Sequence, residues 1–319
     1  MLNNNQFNNL ITSIRTKIIG QDELIENMII CMICNGHILI EGLPGLAKTA
    51  TANALADGIE GDFHRIQFTP DLLPSDLIGT DIYVHDKGDF EFRSGPIFHN
   101  IILADEINRA PSKVQSALLE AMAEKQVTVG KKTYKLPDLF MVMATQNPIE
   151  HEGTYSLPEA QLDRFLMNVI VNYPNREDEL QIMDLSTQID NKSKKSDISV
   201  TTQKEIFDAR KKSFDIHIDS KLKDYIVSLV TATRNPADYD ADLAKWIRCG
   251  VSPRASIALL HCSRILALIN NDSYVAPHHI RKILPHIFRH RIILSYEAEA
   301  SGITPDNIIE KLLEIVALP

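Results

Sequence analysis

Gly42-Leu43-Pro44-Gly45-Leu46-Ala47-Lys48-Thr49 follows an apolar run at 37–40 that reads as a short buried strand, and the residues after it read as a helix. A phosphate-cradling loop requires that context. Glycines let successive backbone N–H groups turn toward phosphate oxygens, and the helix N-terminus adds partial positive charge. Lys48 supplies a mobile cation, and Thr49 supplies a hydroxyl that can ligate Mg²⁺. Ala47 stands where the usual loop carries Gly, and its methyl is expected to fit provided the residue keeps a negative φ.

Upstream of the loop, Ile18, Ile19, Leu24, Ile25, Met28 and Ile29 recur at helical spacing. Downstream, strand-like runs occupy 63–68, 101–104, 140–144 and 167–171. Helical segments separate most of them, notably 111–124, where Val114, Ala117, Leu118, Ala121 and Met122 share one face. Strands alternating with helices predict a parallel α/β sheet covered on both sides. Two insertions interrupt the rhythm. The segment 71–96 alternates Ile82 and Val84 with Phe90 and Phe92 around a turn at 86–88, and 126–136 alternates Val127 and Val129 with Tyr134 and Leu136 around Gly130. Each predicts a β-hairpin. The cluster Leu72, Leu73 and Leu77 is compatible with internal packing of the first insert or with a surface for a pore or partner.

A chain of 319 residues exceeds the usual single-domain size, so two domains are expected. Strand signals stop after Pro174, a polar stretch runs through 191–199, and the remainder has helical periodicity. The predicted organisation is a nucleotide-binding α/β domain over 1–173 and an all-α lid over 174–319. No solenoid-type repeat is present, and the Asn-rich start at 3–9 reads as a helix lead-in or a frayed end.

Ile101-Ile102-Leu103-Ala104-Asp105-Glu106 places two carboxylates at the carboxyl end of a buried strand, where open α/β sheets bind their ligands. Paired acids alone could equally cap the helix after Pro111. In a chain that also carries the phosphate loop, they point to catalysis. Asp105 would hold Mg²⁺, directly or through water, and Glu106 would orient and deprotonate an attacking water.

These stretches resemble the Walker A and Walker B motifs of P-loop AAA+ ATPases. Ala104-Asp105-Glu106-Ile107-Asn108-Arg109-Ala110-Pro111, Ala144-Thr145-Gln146-Asn147-Pro148 and Leu157-Pro158-Glu159-Ala160-Gln161-Leu162-Asp163-Arg164-Phe165 are similar to the MoxR branch in particular. The likeness runs from about Ile18 to the C-terminus. It implies ATP as substrate, Mg²⁺ as cofactor and a ring homo-oligomer, expected to be a hexamer. It also implies that Asn147 is sensor 1, facing the γ-phosphate, and that Arg164 is an arginine finger offered to a neighbouring subunit. Arg109 is a second interface candidate. Ser252-Pro253-Arg254-Ala255 puts an N-cap Ser and an N1 Pro ahead of a long helix, and Arg254 resembles sensor 2. The two hairpins match in position the helix-2 insert and pre-sensor-1 insert of this clade. The implied work is chaperone-like remodelling or maturation of a protein client, such as one with a von Willebrand factor A domain. Alternatives of other classes are a nucleic-acid motor, a magnesium-chelatase-like motor subunit and a nucleotide-switch scaffold that does not hydrolyse.

A formal net charge of −9 leaves no overall basic field, which disfavours nucleic acid as a partner. Neither a signal pattern nor a run of ~18 apolar residues is present, so the cytoplasm is the expected compartment. Cys31 and Cys34 form a C-x-x-C inside an apolar stretch with no second pair, so core packing is expected rather than zinc or redox chemistry. His278-His279 lacks acidic or thiol companions at ligand spacing, and no structural metal is expected. The basic run from His286 to Arg291 is expected to be a solvated helix face rather than a nucleic-acid patch.

Overall fold

The computed structural model describes residues 5–148, 153–189 and 200–319. Asn3, Asn4 and the polar stretch 191–199 lie outside the described residues. The chain divides into two compact units, one built from residues up to Leu157 together with Val169–Glu205, the other from Pro158–Asn168 together with Ile206–Pro319.

The first unit opens with α1 (Asn5–Arg15) and α2 (Asp22–Ile33), whose inward residues from Leu24 to Ile33 are almost all buried. Cys31 is buried there and Cys34 follows the last turn; both are free thiols. Strand β1 (Ile38–Gly42) leads through the 43–47 loop into α3 (Lys48–Asp57). β2 (Phe63–Gln67), α4 (Pro74–Ile78), β3 (Gly79–Val84), β4 (Asp89–Ser94) and β5 (Ile101–Asp105) follow. Next come α5 (Ser112–Glu124), β6 (Gln126–Val129), β7 (Lys132–Lys135) and β8 (Met141–Gln146). The short α6 (Glu159–Leu162), part of the second unit, precedes β9 (Met167–Val171), and α7 (Arg176–Ile189) comes after it.

The main sheet has the order β2-β5-β8-β1-β9. β2, β5, β8 and β1 pair in parallel, in registers such as Gln67 opposite Asp105 and Leu39 opposite Ala144. Every residue of β5 is buried, which is why its first four residues form an unbroken apolar run rather than an alternation. This parallel α/β sheet is the predicted fold class. The carboxyl ends of β1, β5 and β8 meet along one edge, and those ends carry Gly42, Asp105 and Gln146.

Both insertions are antiparallel hairpins, β3 with β4 and β6 with β7. The ring of Phe92 stacks on that of Tyr134 with centroids 4.1 Å apart, so the two hairpins pack on each other. The leucine cluster splits: Leu77 is fully buried and Leu73 is 59% exposed, so internal packing accounts for only part of it.

The second unit holds α8 (Gln203–Ser213, from Ile206 onward), α9 (Ser220–Arg234), α10 (Ala241–Trp246), α11 (Pro253–Ile269), α12 (Pro277–Phe288), α13 (Tyr296–Ala300) and α14 (Pro305–Ile315). It is helical apart from one antiparallel ribbon, β10 (Ile247–Cys249) with β11 (Ile293–Leu294). Strands of three and two residues are too short to leave a period-two signal. The expectation of a solvated face over 286–291 fails. His286, Phe288 and Arg291 are buried, because α12 turns that end into the helical core.

Candidate nucleotide-binding site

Two glycines of the phosphate loop are needed for different reasons. A Cβ on Gly42 would lie 2.8 Å from the carbonyl oxygen of Val171, so the end of β1 can approach β9 only without a side chain. Gly45 adopts φ +85°, a left-handed conformation that ordinary side chains resist. Ala47 departs from its expectation: it sits at φ +57°, ψ 16°, not at negative φ. The loop must reverse into the first turn of α3, whose Thr51 N–H bonds back to the Ala47 carbonyl at 2.8 Å. An alanine held in the left-handed region costs about 1 kcal/mol, and the strain is retained at the point where the loop meets its helix. Lys48 Nζ donates to the carbonyl of Gly42 and, at 3.4 Å, to that of Gln146, which draws the ammonium between β1 and β8.

At the end of β5, Asp105 is only 8% exposed, and both its oxygens are engaged. Its Oδ1 accepts from Thr145 Oγ1 at 2.6 Å. Its Oδ2 accepts from Arg65 Nη2 at 2.6 Å and Nε at 3.0 Å, and lies 3.4 Å from Thr49 Oγ1. Glu106 sits at φ +56° with its N–H donated to Thr145 Oγ1 at 2.9 Å. Its Oε2 accepts from Gln67 Nε2 at 2.7 Å and from Arg109 Nη1 at 2.9 Å. Asn147, just past β8, is 7% exposed. Loop residues 44–50, Asp105, Glu106, Thr145 and Asn147 line one cleft of about 380 Å³.

Sequence reasoning missed Arg65, Gln67 and Thr145. Alternation along β2 puts Arg65 and Gln67 on one face, but which strand lies beside that face is a property of the folded sheet. Thr145 lay inside a quoted motif, yet its two-way hydroxyl bridge needs β5 and β8 to be neighbours.

The cleft suits a nucleotide and its magnesium by donor chemistry. Thr49 and Asp105 offer hard oxygen donors 3.4 Å apart, as Mg²⁺ prefers. The N-terminus of the ten-residue α3 and the ammonium of Lys48 offer positive charge to phosphates.

Two further predicted residues belong to the second unit. Ser252 caps α11 by accepting from the Arg254 N–H, and Pro253 occupies the first helical position, as read from the sequence. The Arg254 guanidinium is exposed and lies 3.5 Å from Asp163 Oδ2. Arg164 is exposed in the turn after α6.

His279 has an acidic companion after all: its Nε2 lies 3.0 Å from Asp272 Oδ2, and with His278 the three could surround an ion. The hydrogen bonding argues otherwise. His279 Nδ1 accepts from the Ala276 N–H at 3.0 Å, so in the neutral ring the proton is on Nε2 and points at Asp272. A metal on Nε2 would force that proton onto Nδ1, against the Ala276 donor. Burial and the neighbouring His278 lower the pKa of His279, which keeps the ring neutral.

A phosphate loop between a strand and a helix, with paired acids at the end of an adjacent parallel strand, defines a P-loop nucleoside triphosphatase. Residues 37–167 match the ATPase family associated with various cellular activities, and residues 241–312 match the AAA lid domain. The chain is 43% identical over 310 residues to Chaperone MoxR1 of Mycobacterium tuberculosis, covering 97% of this chain and 81% of that protein. It is 30% identical over 321 residues to the protein MoxR of Paracoccus denitrificans, covering 95% and 93%. A crystal structure provisionally described as an ATPase from Cytophaga hutchinsonii superposes with a TM-score of 0.90 at 47% identity, covering 99% of this chain and 96% of that one. The chain therefore belongs to the MoxR family of AAA+ ATPases, with a AAA domain followed by a AAA lid. Among the described residues, no helix is long and apolar enough to cross a membrane.

Proposed function

We propose that this chain hydrolyses ATP at the interfaces of a ring of identical subunits and uses the cycle to remodel or mature a protein client. The observation that carries this reading is the convergence of loop residues 44–50, Asp105, Glu106 and Asn147 on one cleft. In this reading Lys48 and the loop N–H groups hold the phosphates, and Thr49 with Asp105 would hold Mg²⁺. The ion, when bound, neutralises charge on the β- and γ-phosphates. Glu106 takes a proton from water, whose oxygen bonds to the γ-phosphorus as the bond to the β–γ bridging oxygen breaks and ADP departs. Thr145 keeps Asp105 and Glu106 in fixed relation by bonding both. Asn147 orients the water, Arg254 reports the phosphates to the lid, and Arg164 supplies charge to the transition state on a neighbouring copy.

In chain order residues 1–173 then serve as the nucleotide-binding domain and 174–319 as the lid, with the difference that 158–168, including Arg164, pack in the compact unit of the lid helices and α7 in that of the sheet. The ring is a hexamer, and a protein with a von Willebrand factor A domain is the client class to try first. Specific Mg²⁺-ATPase activity, measured against the chain's own concentration, should rise as subunits assemble. Activity that stays flat across a range where size-exclusion chromatography shows assembly would refute hydrolysis at shared interfaces. Glu106→Gln should lower kcat by about 10²–10⁴-fold while ADP affinity is retained. An unchanged rate would remove Glu106 from its role.

A further inference from the structure

The basic run 286–291 is not spent on solvent. Its last three residues grip the backbone that carries Arg164. Arg291 has a side chain only 3% exposed, and a guanidinium has five N–H donors. All five are used. Nε donates to Asp163 Oδ1 at 2.7 Å, Nη2 to the carbonyls of Phe165 at 2.6 Å and Asp163 at 3.4 Å, and Nη1 to the carbonyls of Leu166 at 3.2 Å and Ile287. His290 Nε2 adds a second bond to the Phe165 carbonyl at 3.1 Å. Arg289 Nη1 donates to the carbonyl of Asn168 at 3.0 Å, while its other donors pair with Asp306.

Every one of these contacts lies within the second unit, and they bracket a single exposed side chain. Arg164 follows Asp163, whose carboxylate and carbonyl are both held, and precedes Phe165, which is fully buried with its carbonyl doubly bonded. The Arg164 N–H itself bonds to the Gln161 carbonyl at 3.1 Å. Burying a guanidinium is costly unless every donor is satisfied, and packing alone would be served as well by an apolar side chain. A planar fork that reads carbonyls on both sides of one exposed residue fits a need to hold that residue's backbone in one geometry.

We propose that Arg291, assisted by His290 and Arg289, is a positioning residue for Arg164, fixing the turn from which Arg164 reaches a neighbouring copy's nucleotide. The inference rests on the reading of Arg164 as acting in trans. Arg291 touches neither nucleotide nor water. It acts through the Asp163–Leu166 backbone, so its loss is felt in the neighbour's active site; because Asp163 also lies 3.5 Å from Arg254, recovery on mixing is what separates that effect from one on its own site.

Subunit mixing tests this directly. Arg291→Met and Arg291→Lys are prepared in the full chain, with Arg164→Ala and Lys48→Ala as references. A lysine in place of Arg291 would keep one point charge for Asp163 and lose the fork, so Arg291→Lys should be impaired less than Arg291→Met. Misplacing a catalytic group by about 1 Å costs on the order of 100-fold, and that loss is expected in kcat for Arg291→Met with KM for ATP unchanged. An equimolar mixture with Lys48→Ala should then recover to about a quarter of the wild-type rate, because random mixing in a ring places an intact loop beside an intact donor at that share of interfaces. Arg164→Ala should recover likewise. If Arg164→Ala recovers with Lys48→Ala and both Arg291 variants do not, or if their KM rises instead, Arg291 serves its own subunit and the positioning role is overturned. Failure of Arg164→Ala to recover overturns the trans reading itself, and this inference with it. Wild-type rates from both Arg291 variants also refute it. Should Arg291→Met show no cooperative thermal transition, Arg291→Lys decides.

Discussion

Thr145→Val removes one oxygen atom from the cleft and should cost more than its size implies. The residue is 1% exposed, and its hydroxyl donates to Asp105 Oδ1 at 2.6 Å and accepts from the Glu106 N–H at 2.9 Å. Valine matches the shape but offers neither function. A hydrogen bond to a charged group is worth about 1.5–3 kcal/mol, and a buried amide left without an acceptor costs about 1–3 kcal/mol. Asp105 retains Arg65 on its other oxygen, and 11% of its side chain reaches water, which relieves part of the loss. A destabilisation of about 3 kcal/mol is therefore expected. Thr145→Ser keeps the hydroxyl and loses one methyl, about 1 kcal/mol. Urea unfolding of the two variants at neutral pH, read as a shift of midpoint at constant slope, measures the difference. Because the same hydroxyl sets Asp105 and Glu106 relative to each other, kcat should fall in the Val variant and persist in the Ser variant. Equal stabilities and equal rates for Val and Ser would refute the bridging role.

Ala47→Gly relieves a left-handed alanine and should stabilise the fold by about 0.5–1 kcal/mol with ADP affinity unchanged; a loss of stability would contradict the φ of +57°. Gly42→Ala drives a methyl to 2.8 Å from the Val171 carbonyl, and thermal melting should report about 1–3 kcal/mol of overpacking together with weakened ADP binding. Burial lowers the His37 pKa from 6.5 to about 4, against a weaker opposing bond to the Met122 carbonyl. The folded state thus binds this proton less readily than the unfolded state. His37's contribution is fully present above pH 6.5 and falls away as pH drops toward 4, by about 3 kcal/mol. In His37→Gln, whose amide oxygen can still accept from the Val142 N–H, denaturant midpoints should fall less steeply over that pH range; an unchanged slope would contradict the assignment.

Arginine and glutamine on β2 show what a local pattern can and cannot convey. Alternation along 63–67 marks Arg65 and Gln67 as sharing a face, and nothing in that stretch says that the face looks onto Asp105 and Glu106. Strand order does, because β2 lies next to β5 with Gln67 opposite Asp105. The clamp is a similar case. Read along the chain, 286–291 is a basic run, and charge favours water. Its guanidinium is buried because carbonyls from a segment about 125 residues earlier supply every acceptor it needs beyond Asp163 and Ile287.

Sequence alone was sufficient for the phosphate loop, the acidic pair on β5, the five strands of the sheet and both hairpins. Each is written in spacing over a few residues: glycines where a backbone must turn, apolar runs where a strand is buried on both faces, and a helix start marked by Ser252 and Pro253. Tertiary structure alone decided the left-handed Ala47, the hydroxyl bridge of Thr145, the Arg65 and Gln67 contacts to the acids, and the Arg291 grip beside Arg164. Those depend on which segments become neighbours. Periodicity specifies the face a side chain takes, whereas a hydrogen-bond partner drawn from a distant part of the chain exists only once the sheet order and helix packing have brought it there.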